Sequence, residues 1–181
     1  MLHVSQIAEA LGLPAPPSGH PLRDGRDAAI VLGAWLSDLE TADWDLLLAP
    51  SRSRGRSLRN LTVNVFHPIE LLPAAWTTGE FNWQPEQDDT RETHLTNHSS
   101  LVRFAEPAAT AWSRFLDEHG RELETRDPLV SSPRGRVPFS ALLSFQRWHV
   151  AYHYRQLAAT LEVEPTILDR LDDLELPAEV F

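Results

Sequence analysis

The chain has 181 residues, 42% of them apolar, with six Trp and seven Phe, and a net charge of -10 at neutral pH. This is enough apolar material for one domain with a substantial core, which excludes a disordered or fibrous chain, and the acidic balance excludes a broad phosphate-neutralising face for nucleic acid. The sequence has no Cys and no Lys, all sixteen cationic side chains being Arg, so disulfides, cysteine nucleophiles, Schiff-base chemistry and a phosphate-binding P-loop lysine are excluded as well.

In chain order, a short helix is predicted from about Val4 to Leu11, ending at Gly12 and a Pro-rich stretch. A first long helix follows over about 24–41. Ala28, Leu32, Trp35, Leu36 and Leu39 form its apolar stripe, at offsets of 4, 7, 8 and 11 residues. The loop APSRSRGRS leads to a second helix over about 58–76, on which Leu61, Val65, Ile69 and Leu72 share a face. Pro68 lies inside that helix and is expected to kink it or end its first half.

The polar segment over about 77–99 reads as a long loop crossing the bundle. A third helix carries Leu101, Phe104, Ala105, Ala108, Ala111, Trp112, Phe115 and Leu116 at 3–4 spacing, with Gly120 as its expected C-cap. After a second loop over about 121–137, Pro138 suits the first turn of a fourth helix running to Leu161. No period-2 segment is sustained, so no sheet beyond an incidental hairpin is predicted. The fold class expected is all-α: one four-helix-bundle domain over 1–181, with an extension at 1–20, a tail at 162–181 and the crossover between helices 2 and 3. No apolar run approaches the ~20 residues of a membrane span, and the start lacks a signal-peptide pattern. A cytoplasmic protein without membrane or nucleic-acid partners is expected.

The segment FQRWHVAYHYRQL, from Phe145 to Leu157, carries the densest chemistry. His149 and His153 stand one helical turn apart, the spacing with which one helix offers two imidazoles to one ion. Leu142 and Leu157 share their ridge, so the pair is expected to face the interior. A chance pair at this spacing is common in a chain with eight His, and His94 with His98 is a second one, in a stretch without apolar flanks. Two hydrogen-bonded core histidines are the bland alternative for His149 and His153. A third ligand has to come from a facing helix. Asn64 and His67 both qualify, the first with an amide oxygen and the second with an imidazole next to Pro68. Arg56 and Arg59, near a helix start, are weaker candidates for an anion.

RWHVAYHYRQL resembles the last-helix signature of the DinB-like (DinB/YfiT) family, Trp-His-x-x-x-His-x-Arg-Gln-Leu. RSRGRSLRNLTVNVF resembles that family's second-helix start, and the closing LPAEVF resembles a tail of some members. The resemblance spans about 21–181. It implies a metal-dependent thiol transferase acting with a low-molecular-weight thiol of the mycothiol or bacillithiol type, a three-His metal site, and a homodimer. His149 and His153 match the two ligands on the last helix, and Arg155 matches the Arg that follows and joins the candidate anion-binding residues. The family's second-helix His falls on Asn64, with His67 three residues further on, and Tyr152 stands where the family often has Gln. The expected metal is zinc or nickel, since imidazole suits both and no thiolate competes. The expected partners are a small thiol or an electrophile. The rival expectation is a non-catalytic bundle with a degenerate metal site, binding a small ligand or serving as a stress-associated interaction module.

Overall fold

The computed structural model describes residues 19–50, 56–133, 135–171 and 174–176, without the side chain of Glu86. The helix expected at 4–11, Arg52 and Arg54 of the Arg-rich loop, and the LPAEVF tail lie outside the described residues except for Leu176. What is described is mostly helical, with one two-stranded sheet.

Helix α1 (Pro21–Thr41) opens on a proline, whose missing amide proton costs nothing in a first turn. It buries Ala28, Leu32, Trp35 and Leu39 of the stripe read from its sequence, together with Val31, and leaves Leu36 half-buried. A single turn, α2 (Trp44–Leu48), is capped by Asp43, which accepts from the Asp45 amide at 2.9 Å. Helix α3 (Leu58–Thr78) starts at Ser57, whose hydroxyl accepts from the Asn60 amide at 3.0 Å, and stops at Gly79 in the left-handed conformation at φ 73°. Pro68 does not end it: the helix continues through both Pro68 and Pro73. Apolar burial along Val63, Val65, Phe66, Ile69 and Leu72 outweighs the hydrogen bonds those two prolines remove.

The long connection is not a plain loop, because α4 (Glu86–Glu92) forms inside it. Helix α5 (His98–Thr125) begins with a capping box between Asn97 and Ser100. It extends past Gly120, which is therefore not its C-cap. Gly120 is a close-packing point instead, since a Cβ there would lie 3.3 Å from the Leu22 side chain. Gly25 has the same role on α1, where a Cβ would stand 2.7 Å from Leu116. That approach lets the Trp112 indole donate to the Gly25 carbonyl at 3.1 Å.

The hairpin of β1 (Leu129–Ser132) and β2 (Gly135–Pro138) pairs Val130 with Val137, both buried. Helix α6 (Phe139–Leu161) follows, its first turn held by Asp127, which accepts from the Ser140 amide at 2.9 Å and hydroxyl at 2.7 Å. A 3₁₀ turn (Thr166–Arg170) closes the described chain against α1. Helix α1 packs on α5 and α6, and α3 packs on the same two, so one apolar core runs between the four long helices. Among the described residues no helix is long and apolar enough to cross a membrane.

Polar contacts pin α1 to α6. The Arg147 Nε donates to Asp27 at 2.7 Å and lies 3.7 Å from Asp24, which also accepts from the Ser144 hydroxyl. Burial raises the Asp27 pKa even though the Arg147 charge opposes the shift. One turn from the end of α1, Asp38 accepts from the Tyr154 hydroxyl at 2.8 Å. Burial first, then this bond to a carboxylate, pushes the Tyr154 phenol above its ordinary range. The unfolded chain therefore releases this proton first, and stability falls as pH rises past the ordinary phenol value of about 10. Absorbance titration at 295 nm is expected to give the same curve through that range for wild type and Tyr154→Phe. A phenolate signal lost at ordinary pH in the variant would contradict it.

A polar seam between α3 and α6

Three residues of α3 spaced about one helical turn from each to the next, Asn60, Asn64 and His67, form its polar face, and all three are buried. What they face explains the burial. Asp88, on α4 and 1% exposed, accepts from the Asn64 amide nitrogen at 2.9 Å through Oδ2 and pairs with the His67 Nδ1 at 2.7 Å through Oδ1. Next to it, Asn60 donates to Asp89 at 3.0 Å and to Glu92 at 2.7 Å. Arg59 also meets Glu92, at 2.9 Å, and donates to the Leu95 carbonyl at 3.2 Å. The short helix is thus strapped along α3 by its acidic side chains.

From the other side, α6 brings His149. Its Nε2 lies 3.1 Å from the Asn64 Oδ1. Because the Asn64 amide nitrogen is committed to Asp88, the atom facing His149 is the oxygen, and the His149 Nε2 carries the proton in this bond. His153, one turn on, has its ring 4.6 Å from that of His149 and edge-on to it, at 84°. Its Nδ1 lies 2.6 Å from the Gln156 Oε1. An amide oxygen can only accept, so Nδ1 is the protonated nitrogen and the lone pair of the neutral ring sits on Nε2. Phe145 stacks on His149 at 5.2 Å and 13°, and the Trp83 ring lies 5.5 Å away. The seam is lined by aromatic rings on this flank.

The structure thus sets His149 against Asn64, with His153 half-buried beside His149. His67 is turned to Asp88 instead. Arg59 is engaged by Glu92, Arg56 is exposed beside the undescribed part of the Arg-rich loop, and Arg155 is half-buried on α6. The second histidine pair does not form a site: His94 is exposed, and His98 bonds the Leu39 carbonyl at the end of α1. Among the described residues no group of three or more His, Cys, Asp or Glu side chains is arranged to hold a metal ion. The third side chain of this cluster is an asparagine, which stands outside those residue types.

Sequence reasoning missed Asp88. PEQDDTRE holds a signal for the helix, Pro85 before a run that closes with Arg91 in its last turn, but none that marks Asp88 among its acidic neighbours. Comparison with protein-family models, with curated proteins and with solved structures finds no match to this chain.

Proposed function

We propose that the chain is a four-helix bundle similar to the DinB-like proteins, that it binds zinc or nickel in the seam between α3 and α6, and that it uses the ion on a small thiol. His149, His153 and Asn64 are the ligands in this reading. The observation that carries it is the way both ends of the seam are already oriented. Gln156 fixes the tautomer of His153 that leaves its lone pair on Nε2, the outer-shell arrangement typical of a ligating imidazole. Asp88 holds the Asn64 amide so that its oxygen faces His149.

The donor set fits such an ion. Two imidazoles and an amide oxygen suit zinc or nickel, and the 3.1 Å between the His149 Nε2 and the Asn64 oxygen is a separation that two ligands of one ion can take with bonds of about 2.0–2.2 Å. For His149 to offer Nε2, its proton has to move to Nδ1 or leave. A bound divalent ion supplies a Lewis acid that lowers the pKa of a thiol and presents it as thiolate to an electrophile. The chain's own residues orient and shield: Asp88 and Gln156 hold the ligands, while Phe145 and Trp83 keep water from the His149 ring. The thiol itself is suggested by the family resemblance of RWHVAYHYRQL, and a protein without cysteine is consistent with a thiol brought by the ligand.

One observation favours the non-catalytic bundle: Asn64 and Asp88 already hydrogen-bond His149 and His67, so the seam is satisfied as a structural network. Calorimetric titration of the chelator-treated protein with zinc and nickel separates the two. His149→Ala and His153→Ala are each expected to weaken binding by about tenfold or more, since the remaining ligands hold an ion poorly. Equal, weak binding by wild type and both variants selects the non-catalytic reading.

A further inference from the structure

The stretch 84–94, which carries α4, is fixed at its two ends by apolar side chains. Phe81 and Trp83 are buried before it and Leu95 after it, and the Phe81 amide donates to the Ser131 carbonyl at 2.8 Å. Between these anchors, Asp88 is the one buried residue among those whose side chains are described. The sequence there, QPEQDDTRETH, has no aliphatic or aromatic hydrocarbon side chain apart from Pro85. What holds the stretch down is therefore polar. Its carboxylates bond Asn60, Asn64, His67 and Arg59 of α3, and Glu92 also accepts from the Ser57 hydroxyl at 2.9 Å. Arg91 adds a solvent-accessible pair with Glu70 at 2.7 Å.

A seven-residue helix without an apolar face has little stability of its own. Lifting it uncovers Asn60, Asn64 and His67, to which water can offer replacement bonds, and takes no apolar side chain of its own out of the core. A segment attached in this way opens at a lower cost than the packed long helices. Opening it also uncovers the seam, because Asp88 stands on the side of Asn64 away from His149, and Asn64 and His149 are only 3% and 4% exposed.

We infer that 84–94 is a hinged cover, which lifts as a unit about Trp83 and Leu95 and opens the α3 side of the seam to solvent. With the metal bound as described above, this is the path by which the ion reaches Asn64 and His149. That role rests on the seam being a metal site, whereas the lifting itself does not.

The test locks the cover. The chain has no Cys, so Glu70→Cys with Arg91→Cys supplies two unique thiols at a pair that already meets across α3 and α4, and a short bis-maleimide joins them. The readout is acylation of neutral imidazoles by diethyl pyrocarbonate in the chelator-treated protein, resolved by peptide mass spectrometry. Relative to the same variant before joining, the cross-link is expected to slow modification of the buried His67 by about tenfold or more and to leave the exposed His20 unchanged. Equal rates at His67 overturn the cover. In wild type, the His67 rate is expected to change little with sub-denaturing urea, because lifting the stretch exposes little surface. A steep dependence, with the slope of global unfolding, overturns the cover without need of a variant. Stopped-flow zinc uptake separates the cover from the metal reading. Slower uptake after cross-linking, at unchanged equilibrium affinity, is expected, and equal uptake rates overturn the path of entry. No zinc binding by either form, with His67 still protected by the cross-link, removes the metal and sustains the cover.

Discussion

Replacing Asp88 by alanine is expected to lower stability by about 3–5 kcal/mol, the range for removing one partner of a buried charged network. The carboxylate links α4 to two buried polar side chains of α3, His67 and Asn64, each 3% exposed. Without it, the His67 Nδ1–H and the Asn64 amide hydrogens lose their acceptor in a region with little access for water, and each carries its own desolvation penalty. Asp88→Asn should recover part of the loss, since its amide oxygen can still accept one bond while its nitrogen faces a donor. Urea denaturation of the three proteins checks this, and a loss below about 1 kcal/mol for the alanine variant would show that the strap does not depend on this carboxylate. The same variant tests the proposed ligand set: with Asn64 no longer held, metal affinity is expected to drop by about 10–100-fold.

The second large effect is expected at Arg147. Arg147→Met keeps much of the buried aliphatic length but takes the guanidinium away from Asp24, which is fully buried, and from Asp27. The expected loss is again about 3–5 kcal/mol at neutral pH. Its pH dependence has a definite sign. Burial already raises the Asp27 pKa against the pull of Arg147, and removing the cation raises it further. An acid whose folded pKa lies above its unfolded value destabilises the fold above that range, and the penalty fades as pH falls through it. The gap between variant and wild type should therefore narrow on acidification. A second change, Asp27→Asn added to Arg147→Met, should narrow it at neutral pH as well. A gap that stays constant with pH would mean that lost packing, and not stranded charge, explains the effect.

The periodic parts of the molecule were legible because each long helix buries a stripe that repeats every three to four residues. Leu32, Trp35 and Leu39 on α1 and Leu101, Ala105, Ala108 and Trp112 on α5 are all in the core, as their spacing indicates. His149 was also legible, since the ridge it shares with Leu142 and Leu157 turns it into the interior, whereas His153, one turn on, is only half-buried. The boundaries were less so. Gly120 looks like a C-cap in one dimension and is a contact point in three, and Pro68 looks like a helix end where the core on both sides keeps the helix going. Asp88 was hidden for a different reason. Its role depends on a pairing across more than twenty residues, and a seven-residue helix is too short to show a period.

Pro68 and Pro73 have a mechanical consequence for α3. A proline has no amide hydrogen, so the carbonyls four residues earlier, those of Asn64 and Ile69, lack their usual donors within the helix. A ladder with two rungs missing is more compliant across those turns, because bending there breaks no bond. The first gap falls on Asn64 itself, whose side chain reaches across to His149. The proposed coordination site is thus mounted beside the first of these two missing rungs. Small changes in the distance between α3 and α6 can be absorbed there by the backbone, without disturbing the packed apolar face behind it.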